Sequence, residues 1–338
     1  MTTLETWTSL IELNLGKYEP LLRLPPRDAA QHLCSEQTIT AEGAVLQMLA
    51  NILAGEAAPL DPARAPLVAD WMRGNFRSTA LMCMSIVEIS EAALEAVLLM
   101  IGRVTDDSVA LVVNNGMLLH GDRRSSVLMA LARDPRAAVR IHLFSLLNVH
   151  RRLVPPGTLD ARLVPDSIVE PLLARGIGDE HPEVRERAIA YAYGLGVVAR
   201  VREQVLDRTS DDALAVRCYA LVALGVLDDS ASFEILVHAL GSKQREETKS
   251  AIWALARRVE GFERLLPLVK DPDLAADVLG AVAEVSAPLD DVQLDLLATS
   301  VDTPALKNMI RRHIERTRHG APERGPDSQV DYFVNRDR

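Results

Sequence analysis

The hydrophobic positions between residues 184 and 259 recur in a fixed pattern. Val184, Ala188, Tyr191 and Leu195 fall at offsets of 0, 4, 7 and 11. The same offsets hold for Val216, Ala220, Ala223 and Leu227, and again for Thr248, Ile252, Leu255 and Val259. Such spacing puts four side chains on one face of an α-helix, so a single buried stripe is written three times. The copies start 32 residues apart, a period that marks stacked helical units.

Each stripe is preceded by a Leu-rich segment: SIVEPLLARGI, then VREQVLDRT, then SFEILVHALG, with FERLLPLVK following the last stripe. Asp, sometimes with Pro, lies between segment and stripe, and both residues favour a helix start. Gly194, Gly196 and Gly225 sit where the second helix should end, as left-handed caps. The predicted unit is therefore helix, tight turn, helix and short link. Upstream, AEGAVLQMLANILAG reads as the second helix of a first unit, while Phe76-Arg77 and Asp107 mark weaker units. Downstream, weaker units begin near Asp271 and Asp302.

The turn also repeats, as Asp134/Val139/Arg140, Asp179/Val184/Arg185 and Asp211/Val216/Arg217. This D-x-x-x-x-V-R pattern, followed by a helix rich in small residues, resembles HEAT repeats, most clearly over residues 125–260. The resemblance implies an all-α fold, an α-solenoid of about eight HEAT-like helix-turn-helix repeats with a flexible C-terminal tail. It implies that the second helices line a concave face. It also implies that the recurring Asp and Arg tie neighbouring units together. Asp134, Arg140, Asp179, Arg185, Asp211 and Arg217 are accordingly read as a structural ladder.

Two segments break the period and set the expected organisation. Arg140 and Arg185 are 45 residues apart, and the surplus lies in HRRLVPPGTLDARLVPD. That stretch is either a spacer over a kink or a binding loop beside the groove. The layout is a cap at 1–24, repeats over 25–152, a Pro-rich insertion at 153–166, repeats over 167–319 and a tail at 320–338. The tail closes on VDYFVNRDR, where Val330, Tyr332, Phe333 and Val334 form an apolar-aromatic docking motif, acting in cis on the chain's own end or in trans on another.

Composition narrows the role. The 338-residue chain is 48% hydrophobic and only 4% aromatic, which suits helices packed through small and aliphatic side chains. A formal net charge of −10 weighs against a phosphate-tracking surface and favours a partner with a basic patch. Cys34, Cys83 and Cys218 form no CxxC and read as small apolar residues in a reducing compartment. The greasiest window, ALMCMSIVEISEAALEAVLLMIG, is interrupted by Glu88, Glu91 and Glu95 and is no membrane span. The N-terminus has no signal-peptide pattern, so the expected location is the cytoplasm. Met82, Met84, Met100, Met117 and Met129 read as core filler, and Ser125-Ser126 as a helix start.

Catalytic patterns are missing: H-E-x-x-H, G-x-S-x-G and a phosphate-binding G-x-x-x-x-G-K-[ST] do not occur. The eight histidines suggest no metal set, and no cofactor is expected. Among HEAT-like enzymes, the deoxyhypusine hydroxylases require His-Glu pairs, which this chain lacks. A DNA base glycosylase-like or bilin lyase-like enzyme remains an alternative by fold analogy alone. Self-assembly through the tail is a third. The favoured expectation is a non-enzymatic adaptor that binds a protein or peptide on the second helices. The side chains opposite the buried stripe are Glu186, Arg187, Tyr193, Tyr219, Arg257 and Arg258, and Tyr and Arg are frequent binding anchors. Oligomeric state is not legible.

Overall fold

A computed structural model describes residues 16–153, 164–271, 273–285, 292–293, 296–297 and 304. The Pro-rich insertion, the tail motif at 330–334 and the unit near Asp302 fall largely or wholly outside these residues. Every regular element among the described residues is helical. No described helix is long and apolar enough to cross a membrane.

The helices run in consecutive pairs. Before residue 155 they are α1 (Pro26–Ser35), α2 (Ala41–Ala54), α3 (Ala65–Gly74), α4 (Phe76–Ile89), α5 (Glu91–Gly102), α6 (Ser108–Gly116), α7 (Gly121–Ala132) and α8 (Ala137–Leu153). After it come α9 (Asp166–Ile177), α10 (Pro182–Gly194), α11 (Arg202–Asp207), α12 (Leu214–Leu224), α13 (Ser230–Ala239), α14 (Arg245–Leu255), α15 (Gly261–Leu265) and α16 (Ala275–Val285). Short 3-10 turns at Val198–Val201, Arg208–Ser210 and Leu266–Lys270 complete the first helices of the later pairs.

The chain divides into two compact units, residues 1–147 with 156–172, and residues 148–155 with 173–338. In the first unit α1 packs on α2, α2 on α3 and α4, and α5 on α6 and α7. In the second, α10 packs on α12, α12 on α14 and α14 on α16, so the even-numbered helices form one continuous layer. The stripe positions explain that stacking. Val184, Ala188, Val216, Ala220, Ala223, Ile252 and Leu255 are each 0% exposed, and Tyr191 is 1% exposed.

The fourth position of the stripe behaves differently from the expectation. Helices α10, α12 and α14 end at Gly194, Leu224 and Leu255, so Leu195, Leu227 and Val259 lie beyond them. Leu227 is buried, but Val259 is 69% exposed. The glycines also divide. Gly196 has φ +68° and serves as a left-handed residue after α10. Gly225 instead has φ −61°. It is small because α14 passes close by, and a Cβ there would stand 2.8 Å from Ala254 Cα.

Other readings are corrected by burial. Ser125 and Ser126 do not start a helix: α7 begins at Gly121, and Ser125 Oγ donates back to Gly121 O at 3.0 Å. Met82 is fully buried, whereas Met84 is 46% exposed and is no core filler.

Candidate functional site

The repeated turn is built by one Asp and one Arg. Asp134, Asp179 and Asp211 each accept, through Oδ1, the backbone N–H two residues on, from Arg136, His181 and Ala213, at 2.9, 2.9 and 3.0 Å. The arginine six positions later folds back onto the carbonyl of the same Asp: Arg140 at 2.7 Å, Arg185 at 2.9 Å and Arg217 at 2.6 Å. The free end of that fork reaches onward. Arg185 Nη2 meets Asp211 Oδ1 at 2.7 Å, and Arg217 Nε donates to Glu247. In the next unit these two tasks are split: Thr248 Oγ1 bonds Ser242 O at 3.3 Å, while Lys249 Nζ pairs with Asp277 at 3.5 Å. A charged side chain thus links each even-numbered helix from α10 to α14 with the following unit.

The electrostatics follow from that geometry. Burial opposes ionisation of Asp211, but the Arg185 hydrogen bond, the Ala213 N–H and the nearby arginine charge hold its pKa below the ordinary carboxylate value. Glu247 is held low in the same way, burial being outweighed by bonds from Ser242 and Arg217. Glu186 is the opposite case. Burial raises its pKa, Arg187 only partly opposes this, and Glu183 reinforces it. Arg187 itself is engaged by Glu183, at 2.6 Å from Nη2. Burial also pushes the Cys218 thiol up to about 11, which leaves it protonated and unreactive at neutral pH.

The six residues placed opposite the stripe do not form one open surface. Tyr193 is only 3% exposed, because α10 is covered on more than one side and helical angle alone cannot reveal that. Arg258 is structural. It donates to Leu227 O at 2.7 Å and Asp229 O at 3.2 Å, and it lies over the Phe233 ring at 5.1 Å. Tyr219 is half-buried on α12, and Glu186 and Arg187 share α10.

Tyr193 and Arg257 are brought together. They are 64 positions apart in sequence, yet the Arg257 guanidinium sits 5.5 Å from the centroid of the Tyr193 ring. Both line a cleft of about 360 Å3 at the C-terminal ends of α10, α12 and α14. Leu195, Val198, Val226 and Leu227 supply its apolar walls. Arg257 Nε is buried without a hydrogen-bond partner, and no carboxylate pairs with this arginine among the described residues. A half-buried guanidinium beside apolar cleft walls can take a carboxylate carried on a short apolar stem. A larger depression of about 460 Å3 lies by α13, with Glu234, His238 and Glu247 on its walls. Its Glu247 and Ser242 are already committed to the ladder.

Sequence reasoning named Tyr193 and Arg257 but missed the cleft walls. Val198 and Val226 lie in turns after the helices, where no periodicity signals them. No group of three or more residues able to hold a metal ion occurs among the described residues.

No curated protein matches the chain. The crystal structure of an engineered protein is similar at 16% identity, covering 94% of this chain and 99% of that one, with a TM-score of 0.42. The family model for HEAT repeats matches residues 169–256, from within α9 through α14, a segment with the Asp179–Arg185 and Asp211–Arg217 turns and all the cleft lining except Arg257. Residues 169–256 are HEAT repeats, and every regular element among the described residues of the chain is helical.

Proposed function

We propose that the protein is a non-enzymatic adaptor that binds a protein or peptide segment on the even-numbered helices of its second unit, in the cytoplasm. The observation that carries this reading is the Tyr193–Arg257 pair, a buried aromatic ring beside a guanidinium with no ion-pair partner among the described residues, both lining the cleft. Arg and aromatic residues in desolvated clefts are frequent anchors of interfaces. HEAT-repeat arrays in general mediate protein interactions, which supports the same reading. The anchor accepts a carboxylate, while the net charge of −10 draws a partner with basic residues. A segment with one acidic side chain between basic flanks meets both conditions.

Affinity capture from native lysate tests it, with the wild type and an Arg257→Glu variant as parallel baits and mass spectrometry as the readout. A protein held by the wild type and lost by the variant, with unchanged circular dichroism, supports the reading. Equal recovery by both baits would move the site away from the cleft. Recovery of nucleic acid or a tetrapyrrole alone would overturn the adaptor reading in favour of an enzyme.

A further inference from the structure

Helix α4 in the first unit carries four exposed apolar residues. Phe76 is 72% exposed, Met84 46%, Leu81 42% and Ile89 41%. Solitary exposed apolar residues are ordinary, but four on one short helix are not. Two charged residues lie on the same helix, Arg77 and Glu88, both exposed and neither with a partner among the described residues. Each stands at the wrong end for the helix dipole. A cation near the N-terminus and an anion near the C-terminus both oppose it. Nothing within α4 explains why they are there.

Their spacing does. Arg77, Leu81, Met84 and Glu88 fall at i, i+4, i+7 and i+11, the seam of a two-helix contact. The order is symmetric about the midpoint between residues 82 and 83. Inverted onto itself, Arg77 faces Glu88 and Leu81 faces Met84. A helix whose charges and apolar residues match its own inverted copy is complementary to itself, which is the requirement of a two-fold contact.

We propose that this face docks a second copy of the chain, with α4 antiparallel to α4 of its partner. The two Arg77–Glu88 pairs close the ends, and Leu81 and Met84 fill the centre. One helix pair buries less than the roughly 1,200 Å2 of a standard stable interface, so the dimer is weak, with a dissociation constant in the micromolar range or above. The proposal rests on other residues than Tyr193, Arg257 and the C-terminal motif, and does not depend on the reading of either.

Sedimentation equilibrium of the full chain tests it, since the monomer mass is 37.0 kDa. The weight-average mass of the wild type should rise towards twice that value as concentration increases to several hundred micromolar. Glu88→Arg and Arg77→Glu each turn two attractions into two repulsions and should weaken the dimer about tenfold. The double variant R77E/E88R should restore it to within about threefold. All four side chains of the seam are exposed, so circular dichroism should remain unchanged. A chain ending at His319 should dimerise as the wild type does. A wild type that stays monomeric, a dimer indifferent to both single reversals, or one lost with the tail would overturn the proposal.

Discussion

Replacement of Asp211 by Ala tests the inter-repeat ladder at a buried ion pair. The Asp211 side chain is 2% exposed and the Arg185 side chain 11%. Asp211 accepts from Arg185 Nη2 at 2.7 Å, from Ala213 N at 3.0 Å and from Arg208 Nη1 at 3.1 Å. Losing one partner of a buried ion pair costs about 3–5 kcal/mol, because the other charge stays desolvated. Arg185 keeps two acceptors, Asp179 O at 2.9 Å and Glu180 O at 3.0 Å, which lowers the penalty. Arg208 is 31% exposed and contributes below about 1 kcal/mol. The expected destabilisation is therefore about 2–4 kcal/mol. Urea unfolding gives its size, and hydrogen exchange of the α10 and α12 amides gives its place. A change below about 0.5 kcal/mol, the range of an ordinary surface substitution, would refute the ladder as a stabilising link.

The same pair has a pH signature. Asp211 has a folded pKa below its unfolded value, which is about 3.9. Its contribution is thus complete above that value and is lost as pH falls through the lower folded pKa. Asp211→Asn should therefore differ most from the wild type at neutral pH, and the two stabilities should converge in acid. Glu186 carries the opposite sign. Its folded pKa is raised, so its ionisation destabilises the fold as pH rises through that value. Glu186→Gln should raise the urea midpoint at pH 7, with the gap closing below about pH 4.3. Gly225→Ala places a methyl group against the α14 backbone and should cost about 1–3 kcal/mol, measured by the same unfolding assay.

The repeat was legible because it is written in small, fixed steps. Asp, Val and Arg at constant spacing anticipate the turn, and the first three stripe positions are buried in all three copies. The later rungs were not legible. Glu247 accepts from Arg217 although it does not occupy the Asp register, and Thr248 and Lys249 divide what a single arginine does elsewhere. The candidate cleft was half visible. Arg257 and Arg258 are adjacent in the turn after α14, yet one faces a cleft over Tyr193 while the other is tied to carbonyls near the end of α12. No helical angle separates them, because neither lies in the helix. The α4 face was overlooked for a different reason. Met84 follows the other methionines in type, and its 46% exposure is not readable from sequence, although Arg77 and Glu88 lie at i−7 and i+4 from it.

The most direct test of the central claim is covalent capture from the cleft. A photo-crosslinking amino acid at Val226, which is 44% exposed on the cleft wall, would be compared with one at exposed Glu263. The account predicts a protein adduct from position 226 that is absent from 263 and lost when Arg257→Glu is added. Equal labelling from both positions, or an adduct indifferent to Arg257, would contradict it.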